Sequence, residues 1–429
     1  MIIVCYSCST IGQNIGQNIG QANGARMQDG FYTNISEMEP MLPADPTGEL
    51  ADLAITVIRK SAAISTAVHP VTRRGIVELV RKMNSYYSNL IEGHTTHPVD
   101  IDRAMRNDFF ADPAKRARQL ESKAHIEVQK VIEARLEAAP ETIITSKDFL
   151  CWIHSEFYER MPEEFRVVQH ADGNAGRVIP GLLRTSEVEV GRHLPPKSAC
   201  LPAFMHRFEE VYNPGTLNSQ QQVIAVAASH HRLAWIHPFL DGNGRVTRLM
   251  THAYLKKAGL DGHGLWTVSR GFARNREAYL TALVGADQPR RGDLDGRGNL
   301  TQAGLLAFCS FFLKTAIDQI DFMAGLLELD GMQQRIQAVV DRQVLLGELK
   351  PEAGHLLRDI FLRGELPRGE IPKIIGMPER SARRVISTLV GKGYLVSDSA
   401  KGPVRLGFPA ELAGYYFPRL YPEGVEASP

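Results

Sequence analysis

Residues 237–248 read HPFLDGNGRVTR and concentrate the reactive groups of the chain. They hold one histidine, one carboxylate, an asparagine between two glycines, and two arginines. His237, whose ordinary pKa lies near neutrality, can take a proton from an incoming hydroxyl. Asp241 supplies a hard oxygen ligand of the kind that holds Mg²⁺ beside phosphates. The stretch therefore indicates a site where a nucleoside triphosphate meets a hydroxyl nucleophile.

This stretch is predicted to be a loop between two helices. Residues 219–236 carry a helical pattern, and Pro238 cannot continue a regular helix. A second helix is expected from about Gly244 to a stop at Gly259. Phe239 is apolar within this polar loop, and we expect it to anchor the loop to the core.

The loop also has the composition of a phosphate-binding site. Gly242, Asn243 and Gly244 can turn successive backbone N–H groups toward one point, and the helix that begins there adds its free amides. Arg245 and Arg248 lie three residues apart on one helix face. Both can reach phosphate oxygens with forked donors.

Size and composition set broad limits on the rest of the chain. Its 429 residues favour two or three domains, and the hydrophobic fraction of 44%, the charged fraction of 23% and the net charge of +1 are ordinary. The apolar run of residues 303–313 is too short to cross a bilayer. No secretory signal is evident, and the five cysteines are odd in number and scattered. We therefore expect a cytoplasmic protein with no membrane partner.

The chain divides into five predicted regions. Residues 11–24 read IGQNIGQNIGQANG, a repeat typical of disorder, within a low-complexity tail. A helical region, a core around the loop, a connector with a small C-terminal domain, and a second tail follow. The predicted bounds are 1–31 for the first tail, 32–140, 141–330, 331–415, and 416–429 for the last.

The loop resembles the signature of the Fic (Fic/Doc) family, H-x-F-x-[DE]-G-N-G-R-x-x-R, at all its specified positions, and the resemblance extends from about Phe31 to Leu327. It implies a mainly α fold, the Fic helical fold with a small β-hairpin flap. It also implies a protein adenylyltransferase that moves AMP from ATP, its co-substrate, to a Ser, Thr or Tyr hydroxyl of a target protein or of itself. His237 would be the base, and Asp241 would hold Mg²⁺ between the α- and β-phosphates. The implied phosphate ligands are Gly242, Asn243, Gly244 and Arg245 for the α- and β-phosphates, and Arg248 for the γ-phosphate.

Two further segments match the family pattern. Residues 188–193 take the place of the flap that positions the target, and a strand edge there can pair with an extended segment. Asn275 and Tyr279 match an N-x-x-x-Y pattern near the nucleotide base, although Tyr279 is equally well explained as a core residue. The expected flap residues are Val188, Glu189, Val190 and Gly191.

Residues 88–93, SNLIEG, fit the pattern [ST]-x-x-x-E-[GN], which in the family marks an inhibitory helix. The resemblance implies that Ser88, Glu92 and Gly93 form the inhibitory motif and that Glu92 pairs with Arg248. The glutamate would then occupy the donor for the γ-phosphate. The alternative is an ordinary surface glutamate at a helix that ends at Gly93.

The C-terminal segment resembles a winged helix-turn-helix domain, with helices expected at residues 355–362, 370–375 and 381–392 and a two-stranded wing at residues 394–408. Residues 351–408 carry ten Lys/Arg and six Asp/Glu. Such a domain can place its third helix in the major groove of duplex DNA. It can equally serve protein docking or homodimer formation. The candidate DNA-binding residues are Arg380, Arg383, Arg384 and Lys392.

Two other functions remain open from the sequence. Glu92 could orient water, so that the site removes AMP from a modified protein. Alternatively, the chain could be a DNA-binding regulator whose core senses nucleotide. The intact His237 and Asp241 argue against a core without activity.

Overall fold

The structure is a computed structural model that describes residues 2–4, 30–169 and 175–422. These residues fold mainly into helices, in agreement with the predicted fold class. The helices are α1 (Glu49–Ile64), α2 (Pro70–Ile91), α3 (Pro98–Met105), α4 (Pro113–Ala138), α5 (Lys147–Glu159), α6 (Leu201–Tyr212), α7 (Ser219–Ile236), α8 (Asn243–Lys257), α9 (Ser269–Arg274), α10 (Arg276–Ala286), α11 (Gln302–Leu327), α12 (Leu329–Leu345), α13 (Glu352–Arg363), α14 (Ile371–Ile374), α15 (Glu379–Gly391) and α16 (Ala410–Tyr416).

The strands are short and form three small sheets. They are β1 (Ile2–Val4), β2 (Val167–Gln169), β3 (Ala175–Arg177), β4 (Glu187–Glu189), β5 (Glu365–Leu366), β6 (Leu395–Val396) and β7 (Val404–Leu406). β1 pairs parallel to β4, β2 pairs antiparallel to β3, and the third sheet has the antiparallel order β5-β7-β6. The pairing of β1 places three residues of the predicted N-terminal tail beside the flap. The repeat of residues 11–24 lies outside the described residues.

Helices α7 and α8 form the centre of the molecule. Asn218 caps α7 through a reciprocal bond with Gln221, and the helix runs to Ile236 as predicted. α8 begins at Asn243, one residue earlier than predicted, and Gly259 follows its last turn in the left-handed conformation. Both helices are buried along most of their length, because α7 packs against α1, α6 and α11 and α8 packs against α4 and α5. The loop between them is therefore held by rigid elements.

Residues 302–345 form two consecutive helices, α11 and α12. Glu328 has φ −56° and ψ 131°, an extended conformation that separates α11 from α12. α11 is the one helix among the described residues that is long and apolar enough to cross a membrane. It packs on α1 and α10 and buries Leu305, Phe308 and Phe312 among other residues, which is the arrangement of a core helix.

The C-terminal segment folds as α13, β5, α14, α15, β6 and β7. One face of α15 is buried and apolar, and the opposite face is exposed. The predicted tail of residues 416–429 is wrong for its first part: Tyr416, Phe417, Leu420 and Tyr421 are buried. These side chains are apolar or aromatic and return the chain onto the N-terminal helices. Residues 423–429 lie outside the described part.

Candidate active site

His237 ends α7 in a left-handed conformation, with φ 49° and ψ 61°, because Pro238 cannot extend the helix. The buried Arg184 holds this strained turn: its Nε donates to the carbonyl of His237 at 2.9 Å, and its backbone N–H donates to that of Pro238 at 2.9 Å. Burial lowers the pKa of His237 to about 3, and the charges of Arg184 and His193 act in the same direction. The imidazole is therefore neutral at pH 7 and can accept a proton.

Asp241 lies in the loop as a half-buried, ionised carboxylate. Its Oδ2 accepts a hydrogen bond from the hydroxyl of Tyr158 at 2.6 Å. Burial opposes ionisation, but the charge of Arg245 and the bonds from Tyr158 and the backbone of Gly242 outweigh it and hold the pKa of Asp241 below its ordinary value. A charged oxygen ligand is thus available beside the start of α8.

The N-terminus of α8 has the properties expected of an anion site. Gly242 has φ +78°, and a Cβ there would lie 2.8 Å from the ring of Tyr158, so only glycine fits. No side chain caps the helix, which leaves its first amides available. The carboxamide of Asn243 bonds both backbone groups of Phe239, at 2.9 and 2.8 Å. The side chain of Asn243 therefore braces the loop, and the ring of Phe239 is fully buried as predicted.

Arg245 points into the same region and is buried. One of its Nη atoms lies 3.4 Å from Glu121, and the other donates to Tyr158 at 3.5 Å. Its Nε makes no hydrogen bond within the described part of the chain. A buried guanidinium with one unsatisfied donor and two long contacts can bind an additional anion.

Arg248 is paired with the predicted inhibitory glutamate. Its Nη2 donates to Glu92 Oε1 at 2.5 Å, and its Nε donates to Ser88 Oγ at 2.8 Å. Burial raises the pKa of Glu92, but the charges of Arg248 and Arg245 outweigh burial and lower it. A Cβ on Gly244 would overlap the carboxylate of Glu92, which shows how close that carboxylate lies to the N-terminus of α8.

The local sequence explains the position of Glu92. α2 ends at Ile91, and Gly93 adopts φ +85°, which turns the chain away from the helix. Glu92 therefore occupies the last corner of α2 and faces α8. The sequence left two interpretations of Glu92, an inhibitory residue or an ordinary surface glutamate. The side chain of Glu92 is only 13% exposed, so it is not an ordinary surface glutamate.

The predicted flap residues lie on β4 and in the turn that follows it. Val188 is buried at the centre of β4, and Val190 and His193 exchange two backbone hydrogen bonds of 3.0 Å around Gly191. Arg184 connects this segment to the loop, since it also donates to Glu187 at 3.2 Å. One edge of β4 carries β1, in the register Ile2 to Glu187.

The two residues predicted near the nucleotide base have different surroundings. Asn275 is exposed at the junction of α9 and α10. Tyr279 is buried; its hydroxyl lies 2.8 Å from His230 Nε2, and its ring stacks on Phe272 with a centroid distance of 4.4 Å. The packing favours the core alternative for Tyr279, and a contact of either residue with nucleotide stays a prediction.

Sequence reasoning missed five side chains that shape the site. Four of them contact residues 237–248 from other elements, and the fifth, His94, contacts one of the four. The four are Arg184, His154, Tyr158 and Glu121. None carries a local pattern of its own, since each is recognisable only by its neighbour in space. The one available signal was that α4 and α5 carry polar side chains at positions that the fold buries.

The described residues contain no cluster of three or more His, Cys, Asp or Glu side chains that could hold a metal alone. Asp241 is the carboxylate of the loop, and it is ionised. Mg²⁺ is commonly held by one or two carboxylates together with substrate phosphates and water. The residues present therefore fit a cation that arrives with a phosphorylated substrate.

A model of the Fic/DOC family matches residues 144–255, from the start of α5 to the last turn of α8. Over 94 residues the chain is 42% identical to Protein adenylyltransferase Fic of Drosophila grimshawi and to that of Drosophila mojavensis. The aligned part is 22% of this chain and 19% and 18% of those relatives. The chain thus spans about a fifth of the length of the curated relatives it matches.

A solved structure extends the likeness beyond this segment. A Fic family protein from Desulfovibrio desulfuricans G20 superposes on 85% of this chain and 98% of its own, with a TM-score of 0.50 and 15% sequence identity. At this identity the likeness concerns the fold. It indicates that the helices around the matched segment are arranged as in that protein.

Proposed function

Because residues 144–255 form a Fic/DOC family domain, we propose that this chain is a protein adenylyltransferase held inactive by its own Glu92. It transfers AMP from ATP to a Ser, Thr or Tyr hydroxyl of a target protein or of itself. The relatives named Protein adenylyltransferase Fic support the activity, and the neutral His237 beside an ionised Asp241 supports the chemistry.

In the proposed reaction the phosphates lie at the N-terminus of α8, bound by its amides, Arg245 and Arg248. Asp241 and the phosphates would hold Mg²⁺, which would supply positive charge to offset the charge that develops on the leaving group. His237 takes the proton of the target hydroxyl. The hydroxyl oxygen bonds to the α-phosphorus while the bond from that phosphorus to the β-phosphate breaks. AMP remains on the target, and pyrophosphate leaves.

The contact between Glu92 and Arg248 is the observation that carries the inhibited state. Glu92 places a negative charge at Arg248 and close to Gly244, where a terminal phosphate would otherwise lie. Two anions cannot share one buried guanidinium without repulsion. ATP therefore binds in a productive pose only when Glu92 has moved.

The proposal is tested by label transfer. The wild type, Glu92→Gly, and Glu92→Gly combined with His237→Ala are incubated with each α-labelled nucleoside triphosphate, with and without cell lysate. We expect Glu92→Gly to raise protein labelling by ATP at least tenfold, a gain that corresponds to about 1.4 kcal/mol. The added His237→Ala should abolish labelling.

Glu141→Gly is the matched control, because Glu141 is an exposed carboxylate in the loop after α4. It should label no more than the wild type. Labelling that survives His237→Ala would contradict the mechanism. Release of AMP from a pre-modified target in a Glu92-dependent manner would instead favour the reverse reaction.

We also propose that residues 351–408 form a winged helix-turn-helix domain that binds duplex DNA through α15. The order of helices and strands supports this, as do Arg380, Arg383 and Arg384, which are exposed on α15. Two of the candidate cations already have partners, since Arg383 pairs with Glu379 at 3.1 Å and Lys392 with Glu348 at 2.6 Å. Arg380 and Arg384 are therefore the principal candidates for phosphate contact.

A mobility-shift measurement with duplex DNA at increasing salt tests this second proposal. We expect retardation at low salt that weakens as salt rises, because released counterions drive such binding. Replacing both Arg380 and Arg384 by Ala should lower the affinity for duplex DNA at least tenfold. Arg358 lies on α13, and its replacement by Ala should change that affinity little. Absence of retardation at low salt would exclude DNA as the partner.

A further inference from the structure

Two buried side chains of α5, His154 and Tyr158, lie one helical turn apart and face the loop. The spacing of four residues puts both on the same side of the helix. His154 contacts the backbone of Asp241, and Tyr158 contacts its carboxylate. One helix therefore holds the same residue at two points.

The hydrogen bonds of His154 define its tautomer. A backbone N–H can only donate, so His154 Nδ1 accepts from Gly181, at 2.9 Å. The proton then resides on Nε2, which donates to the carbonyl of Asp241 at 3.3 Å. The imidazole also stacks on Phe239, with ring centroids 4.1 Å apart and planes inclined by 11°. His154 thereby holds the backbone of Asp241 and the ring of Phe239.

Tyr158 fixes the carboxylate itself. Its hydroxyl donates to Asp241 Oδ2 at 2.6 Å and receives the long contact from Arg245. Its ring fills the space beside Gly242 where a Cβ would stand. A carboxylate held at one oxygen keeps further lone pairs available, and its rotation about the side-chain bond is restricted.

We propose that Tyr158 is a positioning residue that aims the Asp241 carboxylate at the Mg²⁺ of the bound nucleotide, supported by His154 at the backbone. The inference rests on the proposed function. Hydrogen-bond partners of a metal ligand set its orientation and its basicity, and their loss typically weakens metal binding by about 10–100-fold. Removing the hydroxyl of Tyr158 should therefore weaken metal-dependent binding of ATP while the fold is retained.

The test uses Tyr158→Phe in the full chain with Glu92→Gly, so that the inhibitory carboxylate does not interfere. Calorimetry measures the affinity for ATP with Mg²⁺ and with EDTA, and electron paramagnetic resonance measures Mn²⁺ bound with ATP. We expect metal-dependent affinity to fall at least tenfold, while metal-free affinity changes less than twofold. The ring that fills the space at Gly242 is retained, which preserves the turn.

Tyr254→Phe is the matched control. Tyr254 is a buried tyrosine of α8 whose hydroxyl makes no hydrogen bond within the described residues. Its replacement should leave both affinities unchanged. Equal losses with and without metal, or no loss at all, for Tyr158→Phe would overturn the inference. A Glu92→Gly parent that binds no ATP would overturn the proposed function together with this inference.

Discussion

His94 follows Glu92, the proposed inhibitory residue, by two positions and lies in a chain of charged side chains that reaches Arg245. Its Nδ1 lies 2.8 Å from Glu121, which in turn lies 3.4 Å from Arg245. The hydrogen bond that His94 donates to Glu121 raises the pKa of His94, against the effects of burial and of Arg245, and the charges of Glu121 and Glu92 add to the rise. The turn that presents Glu92 is thus held in part by a titratable contact.

This contact predicts that inhibition weakens as pH rises. Because the folded pKa of His94 is raised, its stabilisation is fully present below the ordinary value of 6.5 and is lost as pH rises through the folded value. Protein labelling by Glu92→Gly divided by labelling by the wild type gives the strength of inhibition at each pH. We expect this ratio to fall about two- to fivefold as pH rises through the folded pKa of His94, because a partly exposed ion pair contributes a stabilisation of that size. Parallel labelling assays from pH 6 to 9 measure it.

His94→Gln should make that ratio insensitive to pH, since glutamine does not titrate. His206→Gln is the control, because His206 is an exposed histidine that also lies near a glutamate, Glu210, at 3.4 Å. It should leave the pH dependence of the wild type in place. A ratio that rises with pH would contradict the assignment.

At the level of single residues, the sequence indicated candidate site residues best where several of them lie close together along the chain. His237, Asp241 and Arg248 were identified from one twelve-residue stretch, because each neighbour constrains the meaning of the next. Tyr158 and Arg184 were missed, because their roles arise from packing between distant segments. The carboxamide of Asn243 bonds Phe239, a role that the spacing alone could not distinguish from ligand binding.

Among the elements, the helices with clear start and stop signals were predicted best. α7 was predicted to the residue because Asn218 caps it and Pro238 ends it. The boundary between α11 and α12 has no signal in the sequence, because Glu328 is a good helix former. The pairing of β1 with β4 was also outside prediction, since three residues carry no register information.

For the whole molecule, the C-terminal residues pack directly on α2, the helix that carries the proposed inhibitory motif. The hydroxyl of Tyr87 on α2 donates to the carbonyl of Leu420 at 2.9 Å, and Arg270 donates to that of Arg419 at 2.7 Å. Tyr421 packs edge-on against Tyr86, with ring centroids 5.3 Å apart. α2 therefore lies between the C-terminal residues on one side and Arg248 on the other. We expect that loss of the contacts between α2 and the C-terminal residues weakens the contacts between α2 and Arg248.

Tyr421→Ala tests this coupling, because it removes a buried ring that packs on the face of α2 formed by Tyr86 and Tyr87. Truncating a buried aromatic side chain typically costs about 3 kcal/mol or more. We expect amide exchange in Pro70–Ile91 to become at least tenfold faster and wild-type labelling by ATP to rise several-fold, with no further rise when Glu92→Gly is added. Tyr415→Ala, which removes an exposed tyrosine of α16, should change neither quantity. Faster exchange confined to the C-terminal residues, with labelling unchanged, would contradict the proposed coupling between these residues and the Glu92 end of α2.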